Sequence, residues 1–271
     1  MHPRISVNAI SSYKWTLDED LAFYREIGCR HVGLMYSKLA EDVAGAAGKI
    51  AADGLRLSCM STSLGQVSPV IAHREGGDAV FEALRAPIDA AHMLGCPILY
   101  FVSGPTPSRT TSDEAITALA ATLKPAVAYA AERGVRLASE NNSVATRFHG
   151  FVHTVRDIAR LSREADIDVN LELQNCWFES DLAAQFRENI DRIGLVQVSD
   201  FILSDKIGLN RAVPGDGDMP LEWLIAKLLD AGYAKTFDIE IIGPHIDEEG
   251  YASAITRGVA WLDEVLVRLG A

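Results

Sequence analysis

The chain has 271 residues, 48% of them hydrophobic and 23% charged, and a formal net charge of −12. That is ordinary globular composition with enough apolar residues for a sizeable core, at a length that suits one large α/β barrel domain or two small domains. The acidic balance excludes a basic nucleic-acid face and argues against binding to an anionic membrane surface.

The opening "MHPRISVNAI" has no long apolar run of the secretory kind, and no later stretch reaches the length of a membrane span. A soluble cytoplasmic protein is the expectation. Short β-like runs then alternate with longer helical patterns. The strand candidates are 5–11, 31–36, 55–63 and 97–104, followed by 135–142, 168–175, 193–200 and 236–243. Between the fourth and fifth, "TTSDEAITALAATLKPAVAYAAERG" reads as a helix with Ser112 as N-cap and Gly134 as its stop. Late in the chain, "MPLEWLIAKLLDAGY" reads as another, with Pro220 in its first turn and Gly232 at its end. Cys29, Cys59, Cys96 and Cys176 form no CxxC pair and read as buried free thiols.

Eight strand–helix units at this length predict a closed (β/α)₈ TIM barrel, one domain over residues 1–271. The competing doubly wound sheet usually carries a glycine-rich turn after its first strand, and no GxGxxG occurs here.

In such a barrel, function gathers at the C-terminal strand ends. Polar residues interrupt four consecutive apolar runs there: Glu140 and Asn142, then Glu172, Gln174 and Asn175, then Gln197, Ser199 and Asp200, then Asp238 and Glu240. Each alone would read as a solvated strand end. On four adjacent strands they predict a shared mouth, where converging carboxylates need a positive charge between them. Oxygen donors of this kind suit Mg²⁺ or Mn²⁺ better than zinc.

The residues Glu140, Glu172, the "VQVSD" run, "NRAVPGDGD" (210–218) and "DIEI" together resemble the xylose-isomerase-like TIM-barrel superfamily, most clearly over 135–243. Its members include sugar isomerases, ketose 3-epimerases, hydroxypyruvate isomerase, dehydratases and DNA-repair endonucleases. The resemblance implies a metal held by Glu140, Glu172, Gln197 and Glu240. Glu172 stands where Asp is usual. Gln197 stands where many members have His, although hydroxypyruvate isomerases and some dehydratases also carry Gln. Asn175 replaces a substrate-binding His, and Arg211 matches a substrate-contacting Arg.

The function so implied is a divalent-metal-dependent isomerase or epimerase acting on a small sugar or hydroxy-keto substrate. Glu140 or Glu240 would take a proton beside a carbonyl, giving an enediolate on the metal. Two alternatives stand beside it: a metal-dependent dehydratase of a polyol or hydroxy-keto acid, and a metal-free barrel that binds a ligand or serves as a non-catalytic subunit. The endonuclease reading fits poorly, because 135–243 has no His at its strand ends and the chain is acidic. Lys206, Asn142, Asn175, Arg211 and Trp177 are the expected substrate contacts. Trp15, Trp177 and Phe201 offer an apolar wall, for which packing under loops is the plainer reading. His149 and His153, four apart, read as surface or capping residues. A homo-oligomer is compatible with all of this, and no stretch marks an interface.

Overall fold

Eight short parallel strands close on themselves in sequence order. In the computed structural model, which describes residues 1–39, 42–62, 78–106, 108–205 and 209–271, they are β1 (Ile5–Asn8), β2 (His31–Met35), β3 (Arg56–Ser61), β4 (Ile98–Val102), β5 (Arg136–Glu140), β6 (Asp168–Glu172), β7 (Ile193–Val198) and β8 (Phe237–Ile239). The last strand pairs with the first through Ile5–Phe237, Ser6–Asp238 and Val7–Ile239. The described helices are α1 (Leu17–Glu26), α2 (Val43–Ala52), α3 (Asp78–Met93), α4 (Ser112–Ala131), α5 (Val155–Ala165), α6 (Leu182–Asn189), α7 (Leu221–Asp230), α8 (Pro244–Glu249) and α9 (Tyr251–Leu269). None is long and apolar enough to cross a membrane.

The predicted strands all form, but most stop two to four residues early. The chain turns into short 3₁₀ segments at Ala9–Ser12 and Leu173–Asn175, which bring Ile10, Gln174 and Asn175 over the barrel mouth. Helix α4 begins one residue sooner than expected. Thr111, not Ser112, is the cap, in a reciprocal capping box with Glu114.

Strand alternation divides the core in two. Outward-facing residues such as Val7, Leu99, Leu171, Val196 and Ile239 pack under the helices in the main cluster. Inward-facing Cys59, Ile98, Tyr100, Ala138 and Leu195 fill the barrel with Ile10. The same inward parity belongs to Glu140, two residues after Ala138, and to Gln197, two after Leu195. All four cysteines are free and buried.

Candidate active site

The mouth of the barrel holds three buried carboxylates around one guanidinium. Arg211 Nη1 lies 2.6 Å from Glu240 Oε1 and 3.1 Å from Glu172 Oε2, and Nη2 lies 3.8 Å from Glu140 Oε1. Glu140, Glu172, Glu240 and Arg211 are all buried. The sequence places three of these side chains through strand parity. The fourth comes from the loop after β7, where Arg211 N donates to Ile242 O at 2.9 Å and an antiparallel bridge joins Ala212 to Asp200.

Each carboxylate has its own surroundings. Glu172 Oε1 accepts from Gln174 N and from Ser199 Oγ, both at 3.0 Å. Its backbone is fixed by Asn141, whose Oδ1 accepts from Glu172 N at 2.8 Å and whose Nδ2 donates to Glu172 O at 3.1 Å. Glu240 Oε2 accepts from Tyr100 Oη at 2.9 Å and from Gln197 Nε2. Glu140 has weaker support, with Asn142 Nδ2 at 3.4 Å. Burial pushes the Glu140 carboxyl well above its ordinary range, and the neighbouring Glu240 and Glu172 add to this against the opposing Arg211. Burial also raises Glu172, with Arg211 holding it back. Burial alone would lower the Arg211 guanidinium, but Glu172, Glu240 and Glu140 outweigh it and raise it.

Below this layer lies a second polar one. Asn8 Nδ2 donates to Tyr100 Oη at 3.1 Å and to Asp238 Oδ2 at 2.7 Å, so a hydrogen-bonded path runs from Glu240 through Tyr100 and Asn8 to Asp238. Asp238 therefore sits inside the barrel and not at the mouth, and burial pushes it up to about 7 despite donors from Ser6 and Asn8. Asp200 is also away from the reacting space. Its carboxylate accepts the backbone N–H groups of Phe201, Gly215, Gly217 and Met219 at 2.8–3.1 Å and so shapes the loop that delivers Arg211.

Above the carboxylates opens a narrow cavity of about 60 Å³. Ile10, Phe101, Val102, Leu209 and Ile242 give it an apolar wall. Asn142, Gln174, Asn175, Thr146 and His149 face it with polar groups. Asn142 and Asn175 thus reach the cavity as expected. Asn175 also donates to Asn141 O at 2.8 Å. Trp177 is not among the lining residues. It follows the 3₁₀ turn with its N–H donating to Leu173 O at 3.0 Å and packs partly buried on the outer core, edge-on to Phe178. Trp15 and Phe201 also pack on that core, which is the plainer reading of them. Lys206 lies outside the described residues.

His149 and His153 do not share a helix face, because helix α5 starts only at Val155. His153 Nδ1 pairs with Asn142 O at 2.8 Å, while His149 lines the cavity beside Phe148. Tyr100, Asn8, Asn141 and His149 were missed as site residues. The signal for Tyr100 was its inward parity in an otherwise apolar run.

Among the described residues, no three His, Cys, Asp or Glu side chains close around a common point. The Arg211 guanidinium stands between them. The donor set still fits a hard divalent cation. The donors are carboxylate oxygens, three acidic side chains share one guanidinium, and Glu172 Oε2 is buried without a hydrogen bond. Gln197 Oε1 accepts from Asn170 Nδ2 at 2.7 Å, while Asn170 Oδ1 has no partner. Turning both amides over would keep their mutual bond and aim the Gln197 oxygen at the carboxylates.

The model of the xylose isomerase-like TIM barrel family matches residues 21–265. No curated protein matches the chain. Among solved structures, a protein from Sinorhizobium meliloti 1021 superposes with a TM-score of 0.86 at 19% identity, over 97% of this chain and 98% of that one. The IolI protein, solved with a bound zinc atom, gives 0.82 at 14% identity over 98% and 99%. An L-ribulose 3-epimerase gives 0.78 at 18% identity over 99% and 96%. At these identities the likeness is one of fold. The family match, the closed barrel and the acidic mouth lead to one conclusion: the chain belongs to the xylose isomerase-like TIM barrel family.

Proposed function

We propose that the chain is a sugar isomerase or epimerase that moves a proton on a carbon beside a carbonyl in a small hydroxy-keto substrate. The observation that carries this reading is the meeting of Glu140, Glu172 and Glu240 on one guanidinium, with Glu140, Glu240 and Arg211 lining a cavity and Glu172 buried behind them. The epimerase and the zinc-bound barrel of the same fold support it. The proposed cofactor is Mn²⁺ or Mg²⁺, held by Glu140, Glu172 and Glu240 with Gln197 as the fourth ligand. When bound, such an ion polarises the substrate carbonyl.

The protein's own groups do the rest. Glu140, which has the weaker hydrogen-bond support, from Asn142 Nδ2 at 3.4 Å, is the group suited to deliver a proton. Glu240, which accepts from Tyr100 Oη at 2.9 Å, is suited to stay an acceptor. Two carboxyls in unlike surroundings are what an acid/base pair needs. Asn142, Gln174 and Asn175 present neutral hydrogen-bonding groups to substrate hydroxyls, and the wall of Ile10, Phe101 and Ile242 keeps water from the reacting carbon. A chain with four reduced thiols suits the cytoplasm.

The test is solvent exchange. The Mn²⁺-loaded protein is incubated in D₂O with a panel of ketoses, keto-sugars and hydroxypyruvate, and carbon-bound deuterium is read by NMR. Label at the carbon beside the carbonyl, lost by a factor of about 10² or more in Glu140→Gln and Glu240→Gln, is the expected result. Turnover without label in wild type, or labelling that survives both substitutions, would overturn the reading.

A further inference from the structure

We propose that the Arg211 guanidinium is the resident partner of the carboxylate cluster, and that a divalent cation enters by displacing it toward the cavity. Guanidinium and ion are then alternative occupants of one position. This rests on the metal-dependent reading above and goes beyond it.

The position itself is the first argument. Nη1 touches Glu240 Oε1 at 2.6 Å and Glu172 Oε2 at 3.1 Å. An ion held through these two oxygens would take the place that Nη1 now fills. A nitrogen and an ion cannot both be there.

Charge is the second. With an ion bound to all three as ionised carboxylates, three negative charges stand against the ion's two, which leaves one to attract the Arg211 guanidinium. The displaced guanidinium therefore moves to the cavity side and does not leave.

The third is freedom to move. The Arg211 backbone is pinned by its N–H to Ile242 O at 2.9 Å and by the Asp200–Ala212 bridge. Its Nε has no hydrogen-bond partner, so the guanidinium is held by its Nη groups alone. The side chain already lines the cavity into which it would turn. An alternative ion pair costs much to break when nothing replaces it, and here the entering ion replaces it at all three carboxylates.

The experiment compares Mn²⁺ binding to wild type and Arg211→Gln by calorimetry, with thermal unfolding to show that the variant is folded. Displacement predicts affinity about tenfold or more tighter in Arg211→Gln, because the ion no longer competes with a charge at the same place. Equal or weaker affinity in a folded variant would overturn the inference and leave the metal reading intact. No binding to either protein would overturn both. A wild-type crystal soaked in Mn²⁺ decides the matter if the variant does not fold. Anomalous density between Glu172 and Glu240 with the guanidinium turned into the cavity supports displacement. Density there with all three Arg211 contacts unchanged, or none there, refutes it.

Discussion

Replacing Tyr100 by Phe isolates one hydrogen bond to the proposed base. The hydroxyl donates to Glu240 Oε2 at 2.9 Å and receives from Asn8 Nδ2 at 3.1 Å and Gln197 Nε2 at 3.2 Å. Without it neither amide is stranded, since Asn8 keeps Asp238 and Gln197 keeps Glu240. The ring stays in the inner cluster. The loss is therefore that of one charge-assisted bond in a dry site, about 1.5–3 kcal/mol. Urea unfolding followed by circular dichroism measures it, and an unchanged m-value would show that the unfolding reaction is the same. In a Glu240→Gln background the same substitution should cost about 1 kcal/mol less or better, because the acceptor is neutral. Additivity of the two substitutions to within about 0.5 kcal/mol would refute the claim that Tyr100 acts through Glu240.

Three further outcomes follow from the same geometry. Gly217→Ala would set a Cβ 2.6 Å from Phe201 O and against the Asp200 carboxylate. It should lower stability by about 1–3 kcal/mol by calorimetry and loosen Arg211 with its loop. Lys38→Met strips the cation from Asp20, whose Oδ2 lies 2.6 Å from Nζ in a fully buried setting. The loss should be about 3–5 kcal/mol at pH 7. Burial pushes Asp20 up to about 6 even with Lys38 holding it down, so Lys38→Met raises it further and the deficit should shrink as the pH falls toward 6, where Asp20 is neutral in the variant first; a deficit independent of pH would contradict this. All four cysteines are buried, and burial pushes Cys29 and Cys96 up to about 12. A thiol reagent at pH 8 should label none of them in the native state and all four in urea.

The barrel was legible because its signal is periodic. Eight apolar runs, each followed by a helical pattern, leave few other folds. Glu140, Glu172, Gln197 and Glu240 were legible for a related reason: a polar residue in a buried strand has to be explained. Which layer each occupied was not legible. Asp238 and Glu240 have the same parity, but Glu240 lies two residues nearer the C-terminal end of the strand and reaches the mouth, while Asp238 sits one layer down on Asn8. Asp200 looked like a mouth acid but binds four backbone amides, a task set by the fold of the following loop. Trp177 misled because a residue after a strand can turn either way once a 3₁₀ turn intervenes. His149 reads as a surface or capping residue because no HExxH accompanies it, and its place on the cavity is set by a loop whose path the sequence does not show.

The pairing of the first strand with the last has a consequence for folding. Asn8 and Asp238 are 230 positions apart, and Tyr100 and Glu240 are 140 apart. The residues that steady the proposed base therefore meet only when the final strand docks on the first. Contacts of such long sequence separation form late and slowly. A half-barrel fragment would bury apolar surface and form helices, but it would have no assembled mouth. Until β8 is in place, Glu140, Glu172 and Arg211 lack Glu240, and Tyr100 lacks its carboxylate acceptor.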